Sequence, residues 1–270
     1  MTDPDPPAIF AEPRAVASID DCYFYHTTDV PGVGVRTGEW DLRPGIRAYL
    51  GDVPFAGKRV LDLGAASGFL SFHMEQQGAD VVSFDLSERH PWDIVPFSGL
   101  DIAEVDRVRR AHLRRINDAY WFCHGARGSR ARVAYGTVYG VPDGIGPVDI
   151  AVVGSILLHL RDPFLALWNA VRLARETAIV TDIIPHRYRW TRFLGARFGL
   201  SAKFLPRAAR REPFDAWWYL SPETVREFLR VLGFADATVT FHRQLFLGEP
   251  RQMFTIVARR TGPTLPLPGE

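Results

Sequence analysis

The sequence predicts a doubly wound α/β fold, a mostly parallel sheet of about seven strands with an antiparallel edge and an inserted lid. Three observations carry this expectation. Short β-branched runs alternate with helical patterns between residues 59 and 184, the alternation that builds βαβ units on a parallel sheet. A turn of small residues, Gly64-Ala65-Ala66-Ser67-Gly68, joins the first such run to the first helical pattern; in doubly wound sheets this is where backbone approaches a ligand. After a capped helix, two further β-rich runs follow near the end of the chain, the pattern of an antiparallel edge.

Taken in order, residues 1–18, with Pro4, Pro6, Pro7 and Pro13, read as a flexible arm, and residues 19–58 as an N-terminal cap segment. The main domain is expected over 59–260. Its strands are placed at 59–63, 80–86, 132–135, 149–156 and 177–184, and its helices at 69–77, 101–120 and 163–175. Ser221 reads as an N-cap with Pro222 at the first helical position, opening a helix that runs to Leu232 and stops at Gly233. Strands at 237–241 and 252–258 complete the sheet, and residues 261–270 form a flexible tail. Residues 185–218 break the pattern with arginines and aromatics of no clear period, and read as a lid beside the sheet's C-terminal edge.

Composition narrows the class. With 270 residues, 47% hydrophobic and 23% charged, the chain is excluded from collagen-like, disulfide-scaffold and wholly disordered classes. No apolar run reaches the ~18 residues that span a bilayer; the run at 150–160 contains Gly154, Ser155 and His159. No membrane partner is expected. The opening MTDPDPPAIFAEP is acidic and proline-rich where a secretory signal is basic and then apolar, so a cytoplasmic location is expected. Cys22 and Cys123 lack metal-ligand spacing and read as free thiols. Net charge is +1, and Lys58 and Lys203 are the only lysines, so the basic residues are almost all arginine.

Residues 60–88, VLDLGAASGFLSFHMEQQGADVVSFDLSE, carry the strongest local signal. A strand ends near Asp62, the small-residue turn follows, and a second strand ends at Asp85, 21 positions beyond Gly64. That is the separation expected of a carboxylate that grips ribose hydroxyls. The glycines lack G-x-G-x-x-G spacing, which argues against a pyrophosphate ligand.

These residues resemble the first motif of class I S-adenosylmethionine-dependent methyltransferases, acid-x-Gly-x-Gly-x-Gly. Asp62, Gly64 and Gly68 fit it, and Ala66 stands at the middle glycine. The resemblance covers about 59–184. It implies a Rossmann-like fold and S-adenosylmethionine as cofactor. The implied contacts are the turn of Gly64, Ala65, Ala66 and Gly68 at the methionine portion, Asp85 at the ribose, Val138 and Tyr139 at the adenine, with Asp62, Leu86 and Gly154 as further cofactor-binding residues. A narrower resemblance, to the tRNA wobble-uridine carboxymethyltransferase group and its relatives, rests on residues 154–163, 138–142, 218–234 and TGEWDLRP at 37–44. Enzymes of that name carry Tyr-His at the end of the fourth strand. Leu158-His159 stands there in this chain, which favours the ordinary cofactor over the carboxylated one.

Methyl transfer to a hydroxyl needs alignment and a base. His159, at the end of the fourth strand, is the first candidate, with an imidazole suited to neutral pH; ordering the strand–helix junction is its alternative role. His26 is second and His186 third. Asp182 stands at the fifth strand's end without a second acid beside it, which reads as helix capping or acceptor orientation; no metal ligands are assigned, and magnesium is left to experiment. For the acceptor, a small molecule such as a sugar or natural product, methylated on oxygen, is set ahead of tRNA. The lid arginines with Trp190, Trp217 and Trp218, extended by Arg107, Arg109, Arg110, Arg114 and Arg115, are the features that would serve RNA. A cofactor-binding protein without catalysis is the third reading.

Overall fold

The computed structural model describes residues 9–184 and 199–263. Among the described residues, eight strands form the main sheet. In chain order the strands are β1 (Thr28–Val30), β2 (Gly34–Arg36), β3 (Trp40–Asp41), β4 (Arg59–Leu63), β5 (Asp80–Asp85), β6 (Arg132–Tyr135), β7 (Val148–Gly154), β8 (Ala174–Ile183), β9 (Ala202–Phe204), β10 (Trp218–Leu220), β11 (Asp236–Phe246) and β12 (Glu249–Arg259). The helices are α1 (Ile46–Tyr49), α2 (Phe69–Gln76), α3 (Ile102–Arg127), α4 (Pro163–Val171) and α5 (Pro222–Val231). The main sheet runs β3-β11-β12-β8-β7-β4-β5-β6. From β8 to β6 neighbours are parallel; β12, β11 and β3 are antiparallel. This is a Rossmann-like, doubly wound sheet.

Chain order reverses between β4 and β7, since β5 and β6 lie on one side of β4 and β7 and β8 on the other. A crevice opens outside the carboxyl ends of strands at such a point. The central strands read as apolar runs because both faces are covered: Leu61, Leu63, Val153 and Val180 pack one way with α4 and α5, while Val60, Ile150, Val152 and Ile179 pack the other way with α1 and α2. Each large side chain so buried stabilises the fold by about 1.5–3 kcal/mol.

Caps set the helix ends. Ser221 Oγ accepts from the Thr224 amide at 3.1 Å with Pro222 at the first turn, as the sequence indicates. Asp162 and Asp101 cap α4 and α3 in the same way. α3 runs seven residues past the expected Tyr120, because Trp121, Cys123 and His124 are buried and Gly128, at φ +59°, supplies the left-handed stop. α4 ends at Val171 rather than Arg175, and β8 begins at Ala174. The antiparallel hairpin of β11 and β12 is present, with β3 from the N-terminal segment pairing outside it.

Two expectations of flexibility change. Residues 9–18 are pinned: Ala11 donates to the Val133 carbonyl at 2.8 Å on the β6 edge, Phe10 packs on the core, and Arg14 meets Asp118. Thr261 and Gly262 likewise donate to the Gly233 carbonyl. Residues 1–8, 185–198 and 264–270, which include His186, Trp190 and part of the expected lid, lie outside the described residues.

Candidate functional site

The turn after β4 is built on left-handed backbone. Gly64, Ala66 and Gly68 have φ of +86°, +47° and +84°, a region glycine enters freely and alanine at a cost of about 1–2 kcal/mol. This explains why the matching motif uses glycine at Ala66's place. At the tip of the neighbouring strand, Asp85 Oδ2 accepts the Ala66 amide at 2.5 Å and Oδ1 accepts the Leu86 amide at 2.6 Å. Burial pushes the Asp85 carboxyl up to about 6 against the opposing pull of those two amides. Each oxygen retains a second lone pair for a ligand hydroxyl.

A cavity of about 1260 Å³ lies over this turn at the switch point. Gly64, Ala66, Asp85, Leu86, Val138, Tyr139 and Gly154 line it, together with His26 and His159. Gly154 ends β7 where space is short: a Cβ there would stand 2.9 Å from Tyr49 Oη and 3.1 Å from Leu70 Cδ1. His26 packs edge-on to Tyr25 and beside Phe69. Its Nδ1 is buried without a partner, and burial drives the ring down to about 4, so it is neutral. A ring held so low is a poor match to a general base near neutrality.

Asp62, Ala65 and Gly68 do not line the cavity. Asp62 Oδ2 accepts Ser71 Oγ at 2.5 Å, and Ser83 bonds both Ser71 and Tyr120, so the carboxyl anchors the underside of the turn. Burial lifts it to about 7. Ala65 is packed among Phe72, Tyr120 and Trp121. Gly68 caps α2, and Phe72 and Tyr120 occupy the space a side chain would need.

His159 stands in the short turn that follows β7. Its Nδ1 lies 2.5 Å from the Asp215 main-chain carbonyl. A carbonyl only accepts, so Nδ1 carries the proton and a neutral ring keeps its lone pair on Nε2. Burial lowers the ring's pKa, offset in part by the Asp215 carbonyl. Asp182, at the end of β8, takes the amides of Ile183 and Leu158 and the Ser155 side chain, which fixes the same turn from below. Among the described residues no group of three or more His, Cys, Asp or Glu could hold a metal ion.

Several cavity residues escaped the sequence reading. Asp215 arrives from the segment before β10 and pairs with Arg109 at 2.6 Å. Glu39 lines the cavity and accepts Tyr23 Oη, whose ring stacks edge-on with His112. Asp93 accepts Tyr139 Oη and, at 2.6 Å, the Arg161 amide. A carboxylate in a loop gives no periodic signal. Five of the aromatic and basic residues considered for RNA have partners within the chain. Trp217 Nε1 donates to the Asp93 carbonyl and Trp218 Nε1 to the Arg161 carbonyl. Arg107, Arg109 and Arg110 pair with Glu104, Asp215 and Asp106.

No family model matches the chain, and no curated protein matches it in sequence. Solved structures do match in fold. The N-terminal domain of EvdMO1, crystallised in the presence of SAH and D-fucose, is 18% identical with a TM-score of 0.55, covering 90% of this chain and 92% of that one. The same domain with SAH bound gives a TM-score of 0.56 at the same identity and coverage. Magnesium protoporphyrin IX methyltransferase (ChlM) from Synechocystis PCC 6803 with bound SAH is 15% identical with a TM-score of 0.46, over 79% and 80% of the two chains.

Proposed function

We propose that this chain is an S-adenosylmethionine-dependent methyltransferase that methylates a hydroxyl of a small molecule, such as a sugar or natural product. The observation that carries the reading is the convergence, in one cavity at the sheet's switch point, of the left-handed Gly64–Gly68 turn, the Asp85 carboxylate and a neutral His159. The fold it shares with EvdMO1, crystallised with SAH, supports the same reading.

The residues fit the cofactor. Gly154 lines the cavity where Tyr49 and Leu70 pack too closely to admit a Cβ. His26 lines the same cavity. Asp85 offers free lone pairs that would take ribose hydroxyls from rigidly held oxygens, and Val138 and Tyr139, which line the same cavity, would flank the adenine. The bound cofactor supplies an electrophilic methyl group on a sulfonium.

His159 takes the proton of the acceptor hydroxyl on Nε2, and the Asp215 carbonyl stabilises the resulting imidazolium through Nδ1–H. Glu39 adds a negative charge to the same region. The cavity exceeds the ~300–1,000 Å³ of single-ligand pockets, so cofactor and acceptor fit together. The acid-paired arginines of α3 and the bonded indoles of Trp217 and Trp218 favour a small acceptor over RNA. The test is incubation with methyl-labelled S-adenosylmethionine and a panel of hydroxylated small molecules and total tRNA, read by mass spectrometry. Label on a small-molecule oxygen supports the reading; label on tRNA alone contradicts it.

A further inference from the structure

We propose that Asp215 and Arg109 are positioning residues for His159, the Asp215 main-chain carbonyl holding the ring in its Nδ1–H form and Arg109 holding that carbonyl in place. The proposal rests on the reading of His159 as the base.

The argument begins with the strap formed by residues 214–217. Its only direct claim on the base is the 2.5 Å contact from the Asp215 carbonyl to His159 Nδ1 among the described residues. Three backbone or indole bonds tie the strap to the site on either side: Val95 N to Phe214 O at 2.8 Å, Trp217 N to Leu158 O at 2.7 Å, and Trp217 Nε1 to Asp93 O at 2.9 Å. None of them acts at residue 215 itself. The tie at that residue is its side chain, whose Oδ2 lies 2.6 Å from Arg109 Nη2.

Arg109 is itself immobilised. Its guanidinium sits over Trp92 at 5.0 Å and over Phe214 at 4.8 Å from the ring centroids, a double cation–π contact. The planar fork is thereby oriented before it meets the carboxylate, so little freedom is lost in pairing. One cation thus joins α3, the loop carrying Trp92 and the strap at a single point.

The consequence concerns a proton. A neutral imidazole with no fixed acceptor divides its proton between two nitrogens. A carbonyl fixed beside Nδ1 removes that ambiguity and leaves the Nε2 lone pair for the acceptor hydroxyl. Without the Arg109 tie, the Asp215 carbonyl is held only through the neighbouring bonds of the strap and gains freedom, the ring divides between tautomers, and Nε2 is presented for part of the time. Asp85, which ends β5, and Gly64, which follows β4, the residues proposed to bind the donor, belong to neither α3 nor the strap, so donor affinity should not follow.

The test is long-range proton–nitrogen NMR of ¹⁵N-histidine-labelled protein above pH 8, with the His159 signal assigned among the eight histidines by its loss in His159→Gln. The expected wild-type pattern is a protonated Nδ1 and a bare Nε2. Arg109→Met should average the two nitrogens of His159 and leave unmoved the histidines other than His112, which feels the Arg109 charge directly; Arg109→Lys, which keeps the charge, should restore most of the wild-type pattern. If Arg109→Met does not fold, Asp215→Asn weakens the same tie and is expected to shift the same signal in the same direction. A wild-type ring protonated on Nε2, or a folded variant with an unchanged His159 signal, would overturn the proposal. The spectrum needs neither donor nor acceptor, so failure to bind S-adenosylmethionine would count against the proposed function alone.

Discussion

The Ala66 amide stands 2.5 Å from Asp85 Oδ2, so the carboxylate that ends β5 also holds the turn that ends β4. The same side chain is thus both a structural clasp and the expected grip on ribose. Asp85→Asn places an N–H donor against one of two backbone N–H donors. Affinity for S-adenosylhomocysteine, measured by calorimetry, should fall by about 1–3 kcal/mol, roughly 5- to 150-fold. An unchanged affinity would remove Asp85 from the cofactor site.

The pH dependence of that affinity follows from burial, which raises Asp85 to about 6. The ionised form is the better acceptor for ligand hydroxyls, so binding favours it and lowers its pKa further. Affinity should be level above about pH 7 and fall toward tenfold per unit below 6, with proton release on binding near pH 6. Calorimetry in buffers of different ionisation enthalpy reads that release directly.

His159→Ala should lower kcat by about 10²- to 10⁴-fold and leave donor affinity unchanged. In the wild type, kcat at saturating donor should stay level below pH 6.5 before falling with acid. Burial sets the ring lower than an ordinary histidine, the carbonyl and charge of Asp215 and the charge of Glu39 oppose that shift, and Arg109 reinforces it. Loss of activity already at pH 7.5 would point to another base.

Gly154→Ala sets a methyl group 2.9 Å from Tyr49 Oη. Such overpacking costs about 1–3 kcal/mol of stability, and the intruding group narrows the cavity, so both melting temperature and donor affinity should drop. Pairing it with Tyr49→Phe, which deletes the clashing oxygen, should recover part of both. No recovery in the double variant would show that the close approach to Tyr49 is not the cause.

Ala66 holds φ at +47°. Ala66→Gly relieves a left-handed alanine but frees the unfolded chain, a net gain between zero and about 1 kcal/mol. Ala66→Val should destabilise by more than 1 kcal/mol, since a branched side chain is strained there. Equal melting temperatures for all three proteins would contradict the backbone assignment.

Much of this was legible in the sequence where a physical signal repeats. β4, β6 and the core of α2 were placed within a residue because β-branched runs and small-residue turns bound them. β7 ends at Gly154 rather than residue 156 because Ser155, at φ +52°, turns the chain, a choice no propensity encodes. β1 to β3 are two or three residues long, too short to show alternation. Asp215 meets His159 across 56 positions through a main-chain oxygen, so nothing in its side-chain chemistry announces the contact.

The central claim is that the cavity at the switch point binds S-adenosylmethionine. Titration calorimetry of the wild-type chain with S-adenosylmethionine and S-adenosylhomocysteine at pH 7.5, with and without magnesium, tests it most directly. The account predicts micromolar binding of both that is indifferent to magnesium and weakened in Asp85→Asn. Absence of binding to either ligand, with the protein folded, would contradict it.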